Sequence, residues 1–257
     1  MPVGLAIPAV VGLGLLLLPL VGLAARVPWG RLGQIFSSPD VLSALRLSLT
    51  TAAITTVVCL ICGVPLAWLL ARTELLGRSL LRGLVTVPLV LPPVIGGVAL
   101  LVTFGRRGLL GHWLYETFGI SLPFTTAAVV LAQSFVAMPF LVVAVEGALR
   151  TADRRFEDVA ATLGASGWTT FRRVTLPAIA PGVLAGAVLC WARALGEFGA
   201  TVTFAGSFPG TTRTMPVAAY AAINAGEVET AIVFSLLMIA VSVAVLVALR
   251  DRWVRAG

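Results

Sequence analysis

Six stretches of this chain run for about twenty residues or more with few charges: Val3 to Ala25, Leu45 to Ala71, Leu84 to Phe104, Thr125 to Leu149, Gly182 to Phe204 and Ala231 to Leu249. A run of that length and composition crosses the hydrocarbon core of a bilayer as a helix. The helix is dictated by the solvent, since only internal hydrogen bonds can satisfy backbone N–H and C=O groups in lipid. Only 11% of the residues are charged, against roughly a quarter in soluble domains. The expectation is an all-α membrane protein of about six transmembrane helices, forming one domain over residues 1–257. The first run lacks a charged leading segment and exceeds the usual apolar core of a secretory signal, so it reads as a span, with a cleaved signal peptide as the alternative.

Every basic residue is arginine, and their positions give an orientation. Arg72, Arg78 and Arg82, then Arg150, Arg154, Arg155, Arg172 and Arg173, then Arg250, Arg252 and Arg255 fall in one set of alternate loops. The other set holds only Arg26, Arg31, Arg106, Arg107 and Arg213. Basic loops stay in the cytoplasm, which predicts a multi-pass protein of the cell membrane with both termini inside. Charges confined to short gaps between spans make no nucleic-acid surface. Cys59, Cys62 and Cys190 lie within apolar runs and read as small core residues, with no ligand set for a metal.

Two spans carry residues that lipid tolerates poorly. In the third, Pro88, Pro92 and Pro93 with Gly96 and Gly97 predict a broken or kinked helix. Such backbone must face protein or a water-filled path, so the segment either lines or gates a pathway or is a packing kink. In the fifth, Arg193 and Glu197 are charges near the bilayer midplane. Either they neutralise each other at i, i+4, or Arg193 meets a passing anion while Glu197 holds it or sets a gate. A mildly apolar piece from Met215 to Ala222, in an otherwise Gly-, Pro- and Thr-rich external stretch, reads as a short helix receiving a soluble partner or as a plain loop.

The longest insert between spans is cytoplasmic on this orientation, within residues 150–180. Phe156, Val159, Ala160 and Leu163 have helical spacing, and Gly164 to Gly167 can end that helix. Trp168 to Arg173 add aromatic bulk and paired positive charge, and Leu176-Pro177 suits the start of a new element. The segment reads as a docking element, or as an amphipathic helix on the lipid surface.

Asp158-Val159-Ala160, three residues, Gly164, nine residues, Val174, one residue and Leu176-Pro177 match the spacing of a cytoplasmic pattern. In this the chain resembles the membrane subunits of ATP-binding-cassette importers. The family's pattern is Glu-Ala-Ala, three residues, Gly, nine residues, Ile, one residue, Leu-Pro. The resemblance implies a type I importer fold whose coupling helices, carrying Glu157 or Asp158, Val159, Ala160, Gly164, Leu176 and Pro177, sit in a groove of an ATPase subunit. Either acid can occupy the motif's first position.

Pro88 to Gly97, Arg193 to Ala200 and Thr212 to Tyr220 narrow the resemblance to the molybdate permease group, near relatives of the sulfate permeases. It implies molybdate or tungstate import by alternating access, with sulfate as the alternative cargo. The implied partners are a second copy of the chain, an ABC ATPase dimer and an extracytoplasmic oxyanion-binding protein. ATP and Mg belong to the ATPase, and no cofactor is expected in this chain. It has no G-x-x-x-x-G-K-[ST] phosphate loop and no hydrolytic pair, so it is not expected to be an enzyme. A self-contained secondary transporter would share the kinked helices and buried charges, but not the coupling pattern.

Overall fold

The computed structural model describes residues 3–74 and 76–254; Arg255, used above for orientation, lies outside them. In order the elements are α1 (Val3–Ala25), α2 (Leu32–Phe36), α3 (Pro39–Arg72), α4 (Arg78–Val90), α5 (Pro93–Phe104), α6 (Gly111–Phe118) and α7 (Thr126–Thr151). There follow α8 (Arg155–Thr162), α9 (Gly167–Thr170), a π-helical turn (Phe171–Thr175), α10 (Leu176–Leu195), α11 (Gly199–Phe204), α12 (Met215–Asn224) and α13 (Val228–Val254). No strand occurs among the described residues. Among the described residues five helical runs are long and apolar enough to span a membrane, and α4 and α5, bent by 116° at their junction, together have the length and composition of a sixth.

The local starts and stops follow from side-chain chemistry. Ser38 caps α3, its Oγ accepting the Val41 N–H at 3.4 Å, with Pro39 in the first turn where its missing N–H costs nothing. Thr125 caps α7 in the same way. Between α4 and α5, Pro92 and Pro93 cannot donate to the preceding turn, and the chain turns sharply. Leu176-Pro177 starts α10, with Pro177 in its first turn, but without a break in the backbone: α9, the π turn and α10 run on as one helix from Gly167 to Leu195. The helix is widened just before Pro177, where the Leu176 N–H reaches back to the Phe171 carbonyl. The fifth apolar run, in turn, is not one helix to Phe204 but breaks at Gly196 to Phe198.

The centre of the bundle is α7, whose Ala137, Leu141, Val142, Val145 and Leu149 are buried between α3 and α10. Lipid supplies no hydrophobic drive between helices, so close approach of small residues does the work. Gly63 of α3 and Gly186 of α10 both face Leu141, and a Cβ at either would come within about 3.1 Å of its side chain. Cys59 and Cys190 share this core, whereas Cys62 is exposed, which corrects its reading as a core residue. All three thiols are free. By contrast α1 buries none of its apolar window, and its main neighbour is α13.

One ion cluster ties α4 to α7 at their shared end. Glu146 of α7 is buried and bonds Arg82 of α4 through both carboxylate oxygens, and Arg150 through Oε1 at 3.0 Å. Sequence reading passed over Glu146 because it sits within an apolar run and its partner Arg82 is 64 positions away. Glu146→Gln keeps the shape and removes the charge that holds both guanidiniums. With Arg82 and Arg150 partly solvated, the loss is expected to be about 1–3 kcal/mol. It is checked by a lower thermal unfolding midpoint of the purified protein.

Candidate coupling surface and gate

The segment between α7 and α10 is shaped by glycine and a cap. Gly164 ends α8 at φ +83°, a left-handed conformation open to glycine, and the Ala165 N–H reaches back to the Ala160 carbonyl at 3.0 Å. Ser166 then caps α9, accepting the Thr169 N–H. The result is a short helical hairpin whose apolar side chains point away from the bundle. Phe156, Val159 and Trp168 are exposed, and Leu163 is 82% exposed. The helical spacing seen in the sequence is therefore a face, and the chain itself leaves it uncovered.

The two adjacent acids are separated by geometry. Glu157 turns inward: its Oε1 accepts from Arg72 Nη2 and from Thr175 Oγ1, each at 3.0 Å. This joins α8 to the end of α3 and to the π turn. Asp158 is exposed and makes no ion pair among the described residues. Val159 and Leu163 share the open face, Ala160 is half-buried, Leu176 is half-buried at the start of α10, and Pro177 is exposed beside it.

The second group lies where two broken spans cross. Gly97 of α5 packs so closely on α11 that an added Cβ would sit 2.7 Å from Thr203 Cβ and 3.0 Å from the Ala200 backbone. Gly199 faces the other break in the same way, 2.9 Å from Pro93 Cβ and 3.0 Å from the Val94 nitrogen. Pro92 and Pro93 are thus at the crossing, while Pro88 lies on the far side of the bend, lining an apolar trough between α4 and α7.

Glu197 sits inside this crossing, 1% exposed. Its Oε1 accepts the Ala200 N–H at 2.8 Å, capping α11, and its Oε2 lies 2.7 Å from Arg193 Nη2. The latter contact is an ion pair without hydrogen-bond alignment. Of the two readings left open by the sequence, the geometry matches mutual neutralisation, and adds a cap that spacing alone does not reveal. Phe198, in the break itself, packs its ring on Tyr220 of α12 at 4.9 Å. The Met215-to-Ala222 piece is the helix α12, anchored where the Met215 N–H donates to Ser48 Oγ of α3 at 2.7 Å.

A helical hairpin of this form and a crossing of broken spans accompany a family match. Residues 63–256 match the family model described as the binding-protein-dependent transport system inner membrane component. The chain belongs to this family. The inner-membrane component is 50% identical over 248 residues, 96% of its own length and 92% of the relative's, to the molybdenum transport system permease protein ModB of Mycobacterium tuberculosis. It is 41% identical over 210 residues to the protein of that name from Escherichia coli, covering 82% of this chain and 91% of the relative. The sulfate transport system permease protein CysT of Escherichia coli is 30% identical over 246 residues, 95% and 88% of the two chains. Among solved structures, a bacterial ABC transporter that imports alginate superposes with a TM-score of 0.77 at 17% identity, covering 98% of this chain and 94% of that one. The MetNI methionine ABC transporter in an inward-facing conformation gives 0.64 at 18%, covering 84% and 95%. The fold is that of these importer membrane subunits.

The crossing makes a direct demand on residue size. Gly199→Ala is expected to destabilise the purified protein by about 1–3 kcal/mol through overpacking. Gly147→Ala on α7, where a Cβ would meet nothing within 4 Å, is expected to be neutral or slightly stabilising. Thermal unfolding of the two variants side by side checks the contrast.

Proposed function

We propose that the chain is the membrane-spanning subunit of an ATP-driven importer that carries molybdate, or the similar tungstate, into the cell. The observation that carries this reading is the level of identity. Proteins named molybdenum transport permeases reach 50% and 41%, whereas the sulfate permease stands at 30%. The chain spans nearly the whole of each relative, so the comparison concerns the full subunit.

In this reading two copies of the chain pair, with both termini in the cytoplasm, an orientation that the arginine distribution supports. Each offers its hairpin to one subunit of an ABC ATPase dimer, which holds the ATP and Mg; this chain holds no cofactor. Phe156, Val159, Leu163 and Trp168 supply the apolar contact, and Asp158 is the acid free to meet a basic partner. Glu157 holds the hairpin to Arg72 and Thr175, so that movement of the ATPase is transmitted into α3 and α10. An extracytoplasmic binding protein delivers the oxyanion, and that soluble protein carries the affinity, because a pathway must release what it admits. The crossing of α4–α5 with α10–α11 acts as the gate. Its charges are committed to each other, so Glu197 fixes the gate's shape through the α11 cap and holds Arg193 in place.

Uptake of labelled molybdate by cells with and without the chain tests the cargo. The expected result is loss of uptake on deletion, with the intact importer resistant to excess sulfate. Uptake abolished by modest sulfate would assign the chain to sulfate. Coupling is tested separately. Leu163→Asp puts a charge into the open apolar face, and is expected to weaken ATPase assembly about tenfold or more while leaving the isolated subunit folded. Co-purification of the ATPase with the variant is the measurement.

A further inference from the structure

Five arginines converge at the end of the bundle beside the coupling hairpin. Arg72 closes α3, Arg78 and Arg82 occupy the first two turns of α4, Arg150 lies in the last turn of α7 and Arg154 precedes α8. With Ala71 and Ser79 they line a cleft of about 570 Å³, and no acidic side chain lines it. The carboxylates that touch these arginines are already engaged, Glu146 with Arg82 and Arg150, and Glu157 with Arg72. Arg78 and Arg154 both donate to a neutral acceptor, the Ala71 carbonyl, at 3.3 and 3.1 Å. Of the exposed acids nearby in sequence, Asp153 accepts the Arg155 N–H, and Glu74 makes no ion pair among the described residues. The cleft therefore holds positive charge in excess of its partners. Arg72 is the most enclosed, with its side chain 6% exposed, and its Nε and that of Arg78 are buried without an acceptor. Guanidiniums withdrawn from water and under-supplied with acceptors are costly, and an anion in the cleft offsets that cost.

A second feature says what kind of anion. On the membrane side of the Arg82–Glu146 pair, an apolar trough of about 630 Å³ runs between α4 and α7. Leu66, Leu84, Val85, Pro88, Met138 and Pro139 contribute to its wall, in which Ser134 is the one polar residue. Val85 is one turn beyond Arg82 on α4, so cleft and trough adjoin on the same helix. A small inorganic oxyanion would use the first and leave the second empty. A molecule with a phosphate head and an aliphatic chain uses both.

We propose that the arginine cleft binds the headgroup phosphate of an anionic phospholipid, with an acyl chain laid along the trough beside α4. Planar guanidiniums match phosphate oxygens in pairs, and basic pockets between transmembrane helices at the membrane surface are suited to such headgroups. A lipid held there clamps α4, the first half of the bent span, to α7 and to the root of the coupling hairpin. The site is independent of the cargo and of which way the protein faces, since phosphate headgroups line both surfaces.

The test is native mass spectrometry of the full-length protein released from nanodiscs of mixed phosphatidylglycerol and phosphatidylcholine. Wild type is expected to retain phosphatidylglycerol over phosphatidylcholine by about tenfold or more. The Arg78→Gln/Arg154→Gln pair removes two charges without orphaning a carboxylate, and is expected to bring the ratio close to one. Arg78→Lys/Arg154→Lys keeps the charge and is expected to keep most of the preference, which separates binding from a folding defect. Arg26→Gln, outside the cleft, leaves the ratio unchanged. A preference that survives the double glutamine variant overturns the site. Complete displacement of phosphatidylglycerol by millimolar inorganic phosphate makes it a free-oxyanion site and overturns the lipid assignment.

Discussion

Backbone that leaves the helix inside a bilayer has no water to turn to, and this single constraint organises the fold. Two spans are broken, one at Leu91-Pro92 and the other at Gly196 to Phe198, and each leaves polar groups that lipid cannot satisfy. The protein sets the two breaks against each other. Gly97 and Gly199 allow the approach, Pro93 and Ala200 form the contact, and Glu197 supplies the acceptor that the start of α11 lacks. A carboxylate buried to 1% exposure is a costly acceptor, and Arg193 one turn earlier offsets its charge. The arrangement is self-consistent: remove the glycines and the breaks separate, remove the carboxylate and one of them loses its cap.

A similar economy runs along the end of the bundle that carries the hairpin. Glu146 joins α4 to α7, and Glu157 joins α8 to α3 and to the π turn, so two acids organise three of the five arginines around them. The hairpin is thereby fixed at its root while its apolar face stays open.

Much of this was legible in the chain. The apolar runs gave the spans, the prolines gave the first break, and the spacing from Asp158 to Pro177 located the hairpin. These signals are local, because a proline lacks its N–H wherever it stands and a motif is written in consecutive residues. What escaped was non-local or masked. The second break lies in a run without proline, and only contact with α5 distinguishes Gly199 from a glycine in an ordinary helix. Glu146 and Glu157 owe their roles to Arg82 and Arg72, 64 and 85 positions away. The inward and outward turns of Glu157 and Asp158 depend on where α3 ends, which no spacing within the hairpin encodes.

The unbroken helix from Gly167 to Leu195 joins the exposed hairpin to the crossing of the broken spans. Its 29 residues amount to about 43 Å, from the exposed Trp168 to the point where Glu197 caps the next helix. The π turn, Pro177 and Pro181 all fall in the half beside the hairpin. Those are the features at which a long helix bends, so any give in this one is concentrated beside the hairpin, and the half that reaches the crossing is regularly wound.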